Sequence, residues 1–402
     1  MSERLPVVIA GAGPTGLMCA LALARRGVPV VVCEAEPNLT HDLRAGSFHP
    51  PTQEMMAPYG ITERMHQHGL QVRRWQIRSR RGGLVAEFDL GLLAGATPYP
   101  YRLHLEQHRL TPIQLDVLRK EASAEVHFRH RISGYEQKHA SVLVHFESEG
   151  IPGKLEASWL IGADGGRSTI RKLLAVEFEG FTWPEQFLVV STPYDLAQHG
   201  FTMNAYVADP TEWAAVFKMP DAGPPGLWRL AFPCDPGLPD DTLLDLPAVQ
   251  QRLKGLVEST KDFEIRYQSI YRVHQRVATE WRRGRVLLAG DAAHLNNPLG
   301  GFGLNSGIHD AVNLADKLAK VWRGEADASA LELYVRQRRA ATVDHVQAMS
   351  IRNKRLLEER DPEVHRARMQ ELVATANDPQ RAREYLLESS MIAGLRKSME
   401  IQ

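Results

Sequence analysis

The chain has 402 residues, 44% hydrophobic and 24% charged, with 48 Lys+Arg balancing 48 Asp+Glu at a formal net charge of +0. That is an ordinary globular composition, long enough for two or three domains, and its even charge carries no basic footprint for nucleic acid. Its three cysteines, Cys19, Cys33 and Cys234, are too few and too scattered for a disulfide framework or a zinc site and fit a reducing cytoplasm.

Residues 5–24 carry no charge, but Gly11, Gly13, Pro14, Thr15 and Gly16 interrupt the run midway. It therefore reads as a buried strand, a tight turn and a buried helix, not as a membrane span or a signal peptide. In Gly11-Ala12-Gly13-Pro14-Thr15-Gly16 the first glycine permits the turn, the second lets backbone approach a pyrophosphate, and the third lets helix and strand pack closely. A second parallel strand over 28–33 ends in Glu34, the acid expected about 20 positions on to bind ribose hydroxyls. Dinucleotide binding follows from strand, turn, helix and acid together.

Beyond Arg44-Ala45-Gly46, residues 53–59 read as a helix that Gly60 ends, and 75–80 with 84–89 as a hairpin around Gly82-Gly83. Glu106-Gln107 opens an amphipathic helix pattern. Residues 159–165 form a strand running into the turn Gly162-Ala163-Asp164-Gly165-Gly166-Arg167-Ser168. Short β-rich segments over 187–191, 201–208, 213–219 and 227–232 suggest a mostly antiparallel sheet. A helix over 246–256 and a strand over 263–273 lead to a second strand and turn, residues 285–291, with Gly290-Asp291-Ala292-Ala293-His294 at its end. The loop Asn297-Pro298-Leu299-Gly300-Gly301-Phe302-Gly303-Leu304-Asn305 enters a helix near Leu304, and the rest is almost wholly helical. The expected fold is α/β: a Rossmann-like dinucleotide-binding domain (1–178, the hairpin 72–90 excepted, and 273–330), an inserted antiparallel substrate sheet (179–272) and a C-terminal helical region (331–402).

The three glycine motifs in this order resemble the signatures of the group A flavoprotein aromatic monooxygenases, the para-hydroxybenzoate hydroxylase fold, over nearly the whole chain. The resemblance implies FAD as cofactor, NADPH or NADH as transient electron donor and dioxygen as co-substrate. It implies that Arg44 contacts the cofactor's phosphate and ribose region, Gln107 the flavin side and Asp291 the ribityl chain, with Asp164 and Arg167 supporting FAD. For Asp164 and Asp291, helix capping is a competing reading. Pro298, Gly301, Gly303, Leu304 and Asn305 would lie beside the flavin ring, with free helix N–H groups aimed at it. Reduced flavin and dioxygen would form a C4a-hydroperoxide that hydroxylates a phenol. Smaller similarities, among them Tyr99-Pro100-Tyr101, Phe181-Thr182-Trp183 and Tyr271-Arg272-Val273-His274, resemble family members that act at the nitro-bearing carbon of para-nitrophenol, releasing nitrite.

Such a site wants a base or relay near the ring hydroxyl. The candidates are His49 first, then His199, Tyr206 and His294, while Tyr194, Trp213 and Phe217 offer stackable walls. From Leu173 to Trp228 there is no arginine and one lysine, Lys218, so these strands supply no carboxylate clamp, although an arginine from elsewhere can reach in. Another substituted phenol or a hydroxypyridine as substrate, or an FAD oxidase or reductase without oxygen transfer, are the alternatives. The partner expected is a small aromatic molecule, with no nucleic acid or membrane and a monomer or homodimer as the assembly.

Overall fold

The fold is that of a computed structural model, which describes residues 4–41 and 46–402; Arg44 lies outside the described residues. Short β-branched runs such as Val7–Ala10, buried at every position, favour strands covered on both faces. Five short strands run parallel in the order Val286–Leu288, Trp159–Gly162, Val7–Ala10, Val30–Cys33 and Ala124–His127, with Arg282–Arg283 antiparallel at one edge. Helix Pro14–Ala24 packs on this sheet, flanked by Gln107–Leu118 and Phe302–Arg323. A three-stranded antiparallel layer, His130–Gln137, Val142–Ser148 and Ile151–Ala157, also packs against it.

The register brings the three glycine turns together. Ala10 pairs with Gly162 and Gly162 with Leu288, so three adjacent strands end at one carboxyl edge. A methyl on Gly11 (φ +98°) would lie 2.7 Å from the Ala163 carbonyl, and one on Gly290 would lie 2.7 Å from Thr15 Oγ1. At this edge an α/β sheet takes its ligand.

The second sheet has eight strands in the order His294–Leu295, Tyr267–Ala278, Phe178–Thr192, Leu227–Cys234, Ala214–Met219, Asn204–Ala208, Arg74–Ser79 and Gly83–Asp89. Every pairing is antiparallel except that of Asn204–Ala208 with Arg74–Ser79, through which the early hairpin joins this sheet. The strand expected over 187–191 is much longer, because a register shift between Thr182 and Gln186 interrupts the alternation that would have revealed it. One face carries Trp75, Phe187, Tyr206 and Trp213 under the C-terminal helices, and the other carries Val190, Val207, Trp228 and Leu230 under helix Leu246–Leu256. A small antiparallel sheet of Ser47–Phe48, Arg102–His104 and Leu70–Val72 completes the strands that border the site. Among the described residues no helix is long and apolar enough to cross a membrane, and no cluster of metal-ligating side chains occurs.

Candidate active site

The dinucleotide end of the site is built by turns that tolerate only glycine. Gly16 could take no side chain, since its methyl would sit 2.0 Å from the Gly11 carbonyl, whereas nothing lies within 4 Å of where a Gly13 side chain would begin. Gly13 caps helix Pro14–Ala24 without any side-chain hydrogen bond, which leaves the first helical N–H groups open to an anion. Thr15 packs against Gly290 and Gly307. Glu34 ends its strand and its carboxylate accepts from Ala12 N at 2.7 Å and Glu36 N at 2.9 Å, which points it at the glycine turn.

Gln107 is the half-buried first residue of helix Gln107–Leu118. Asp164 is engaged locally: one carboxylate oxygen accepts from Ser168 Oγ at 2.6 Å and the other from Thr169 N at 2.6 Å and Ile170 N at 3.1 Å, the capping pattern. Asp291 is exposed on the turn Gly290–Ala292 at the sheet edge. That turn is held from below by Asp310, which sequence reading missed. Its buried carboxylate accepts from Gly290 N at 3.0 Å, His294 Nε2 at 2.7 Å and Arg338 Nε at 2.7 Å. Burial alone would raise the Asp310 carboxyl, but the His294 and Arg338 charges hold it below the usual range. His294, a candidate base above, commits its Nε2 to this buried pair and stacks on Trp281 at 5.2 Å, while its Nδ1 has no partner.

The loop into helix Phe302–Arg323 passes through Gly300 (φ +120°) and Gly301 (φ +69°), and Gly301 caps the helix with no side-chain hydrogen bond. The half-buried Pro298 carbonyl accepts from Gly301 N at 2.9 Å. Gly303 lies beside Asn296, and Leu304 is half buried on the first turn. Asn305 staples this helix start to the strand Ser47–Phe48: His49 N donates to its Oδ1 at 2.9 Å, while its Nδ2 donates to Ser47 O at 2.8 Å and Gly301 O at 2.6 Å.

In the small sheet Ser47 pairs with His104 and Phe48 with Leu103, so alternation puts Ser47, His49, Arg102 and His104 on one face. Each of these four side chains has a buried polar atom without a partner: Ser47 Oγ, His49 Nδ1, Arg102 Nε and His104 Nε2. Unpartnered buried atoms occur elsewhere too, Trp75 Nε1 and His294 Nδ1 among them, but here four converge on one face, where a polar ligand would satisfy them. The face borders Gly301, whose added methyl would sit 3.2 Å from Ser47 Cβ and 3.9 Å from His49 Nε2.

The tautomers follow from the partners. His49 Nε2 donates to the Gly300 carbonyl at 2.8 Å and His104 Nδ1 to the Lys218 carbonyl at 2.9 Å, so the opposite nitrogen of each ring carries a lone pair. Burial, reinforced by the Arg102 charge, pushes His49 well below its ordinary range, and burial chiefly brings His104 down to about 4. Both rings are neutral acceptors at pH 7. Arg102, 4% exposed, gives one hydrogen bond to Ser389 O at 3.2 Å and has no ion pair among the described residues. It comes from outside the arginine-free stretch 173–228, while the sheet strand Leu227–Cys234 carries an arginine of its own, the buried Arg229.

Tyr206 is 2% exposed, and its hydroxyl accepts a hydrogen bond from the backbone of Gly300, the residue whose carbonyl holds His49; burial raises its pKa. Phe217 stands edge-on to both Tyr206 (6.3 Å between rings) and His104 (6.1 Å), and Trp213 shares the face of Tyr206 but is buried against Phe187. Tyr194 and His199 are elsewhere. They hydrogen-bond each other at 2.8 Å, and Tyr194 packs with the core on the opposite face of the sheet, so alternation separates this pair from Tyr206.

The described residues fit a flavin dinucleotide: an open glycine turn and an uncapped helix at the pyrophosphate end, a second uncapped helix and orphaned polar atoms at the ring end. The family described as FAD binding domain matches residues 4–349. The para-nitrophenol 4-monooxygenase of Pseudomonas sp. (strain WBC-3) is 34% identical over 392 residues, covering 97% of this chain and 96% of that protein. The 6-hydroxy-3-succinoylpyridine 3-monooxygenase HspB of Pseudomonas putida (strain DSM 28022 / S16) is 33% identical, covering 90% and 91%. The crystal structure of p-nitrophenol 4-monooxygenase PnpA from Pseudomonas putida DLL-E4 superposes with a TM-score of 0.91 at 32% identity, over 98% of this chain and 99% of that one.

Proposed function

Since the chain belongs to the FAD-binding family of group A aromatic hydroxylases and is an FAD-dependent aromatic monooxygenase related to para-nitrophenol 4-monooxygenase, we propose that it hydroxylates a para-substituted phenol at the substituted carbon. With para-nitrophenol, one phenol, one NAD(P)H and one O2 give one quinone, one nitrite and one water. FAD, when bound, takes hydride from NAD(P)H and activates dioxygen for transfer to the ring. The glycine turn and Glu34 would hold its pyrophosphate and ribose, and the loop Pro298–Asn305 would meet its ring.

The observation that carries this reading is the shared face of His49, Arg102 and His104 beside Tyr206 and Phe217. Neutral His49 Nδ1 and His104 Nε2 are placed to accept the phenolic proton's hydrogen bond. The unpaired Arg102 guanidinium favours the phenolate, the form with the electron density that oxygen transfer requires. Phe217 and Tyr206 supply the stacking wall and keep the chamber dry.

The test is NAD(P)H oxidation by FAD-loaded protein across para-substituted phenols and hydroxypyridines, with nitrite and isotopic oxygen in the product measured. Phenol-stimulated oxidation with one dioxygen atom in the product is expected. Oxidation that yields only peroxide with every phenol would overturn the proposal in favour of an oxidase.

A further inference from the structure

Behind the ring of Phe302 lies a cavity of about 170 Å3, separate from the glycine turns. Phe302, Val346, Met349 and Met391 form its apolar floor, a cluster apart from the three larger cores. Arg338, Arg352, Asp344 and Glu388, two charges of each sign, also line it together with His309 and His345. One wall is a π-helical stretch, Ala341–Gln347, which Gln347 pins by donating to Arg276 O and Leu295 O at 3.3 Å each. Such stretches are rare and gather at functional sites.

Phe302 is the partition. On its other side the ring packs so tightly on Gly300 that a methyl there would sit 2.1 Å from Cε2, and it stacks on His49 at 5.4 Å between centroids. Phe302 thus stands between the cavity and the His49–Gly300 side of the proposed phenol site. A volume of about 150 Å3 is enough for a benzene ring, thioethers pack well against aromatic edges, and the charged rim, balanced in sign, favours a ring with a polar substituent over a charged ligand.

We infer that the cavity is a second aromatic-binding site, an antechamber for a phenol-sized ring that enters or leaves the chamber when Phe302 turns aside. The identity of the ring rests on the phenol hydroxylase reading, whereas the cavity does not.

The experiment fills the cavity from walls that do not touch the chamber, with Met349→Trp and Met391→Trp in the FAD-loaded full chain and para-nitrophenol as probe. At unchanged FAD content and melting temperature, kcat/KM for the phenol should fall at least tenfold while the slow phenol-independent NAD(P)H oxidation stays as it was. Wild-type kcat/KM in both variants overturns the inference. Because either tryptophan could unfold the chain, crystals of the unaltered protein soaked with 4-bromophenol give a second reading. A bromine anomalous peak against Met349 and Met391 supports the site, and bromine confined to the chamber removes it. If no phenol stimulates NAD(P)H oxidation yet the bromine peak is present, the function reading fails and the ring-binding site stands.

Discussion

Arg102 carries a charge that water would stabilise and the fold does not pair, and such a group persists where a ligand completes it. Arg102→Met keeps much of the bulk and removes the charge. Steady-state kinetics should then show kcat/KM for phenols down at least 100-fold, with the pH at which activity appears shifted upward because the phenolate loses its counter-charge; a change in KM for NAD(P)H alone would contradict this. His49→Ala should lose hydroxylation yet keep flavin reduction, read by stopped-flow absorbance under nitrogen, and an unimpaired coupled rate would reject His49 as an acceptor. The buried histidines also set a pH limit. His104 at about 4 and His309 at about 3 lie below the ordinary 6.5, so between those values and 6.5 the unfolded chain binds more protons and stability rises with pH. The free energy of unfolding, measured by denaturant titration, should therefore fall as the solution is acidified from pH 6.5 toward 4, by up to about 1.4 kcal/mol per pH unit for each histidine, and a His104→Gln chain should show a shallower slope.

At the scale of elements, the staple between strand Ser47–Phe48 and helix Phe302–Arg323 rests on one buried amide. Asn305→Ala removes three hydrogen bonds at once, and a loss of about 2–4 kcal/mol is expected at about 1 kcal/mol per bond with added cost for the orphaned groups. Urea unfolding measures that loss, and FAD retention on gel filtration should fall with it. The glycine turns were legible in the sequence because positive φ and backbone contact demand one residue type, as Gly11 and Gly16 show. The strand Arg102–His104 was not: three residues carry no periodicity, and its meaning comes from distant partners, Ser47 against His104 and Phe48 against Leu103. The meander over 130–157 was missed for the related reason that its strands are half exposed and irregular in pattern. Tyr194 and His199 could not be told from Tyr206 because the face of a sheet is set by register, which composition does not encode.

For the whole molecule, Asp310 ties the third glycine turn to the C-terminal helices through Arg338. It reads in the sequence as one more polar residue of a long amphipathic helix, and only packing shows it to be central. Asp310→Asn would leave Arg338 buried without a counter-charge, at a cost of about 3–5 kcal/mol, and differential scanning calorimetry should show melting moved down along with weaker FAD binding. The adjacency of Val7–Ala10, Trp159–Gly162 and Val286–Leu288 has a consequence for biosynthesis. Neighbours in space are made far apart in time, and contacts that span most of a chain form late. A ribosome that has released only the first 280 residues has yet to deliver the third turn and the helix beyond it, so arrested nascent chains of that length should emerge colourless, and colour should arrive only with the last quarter of translation.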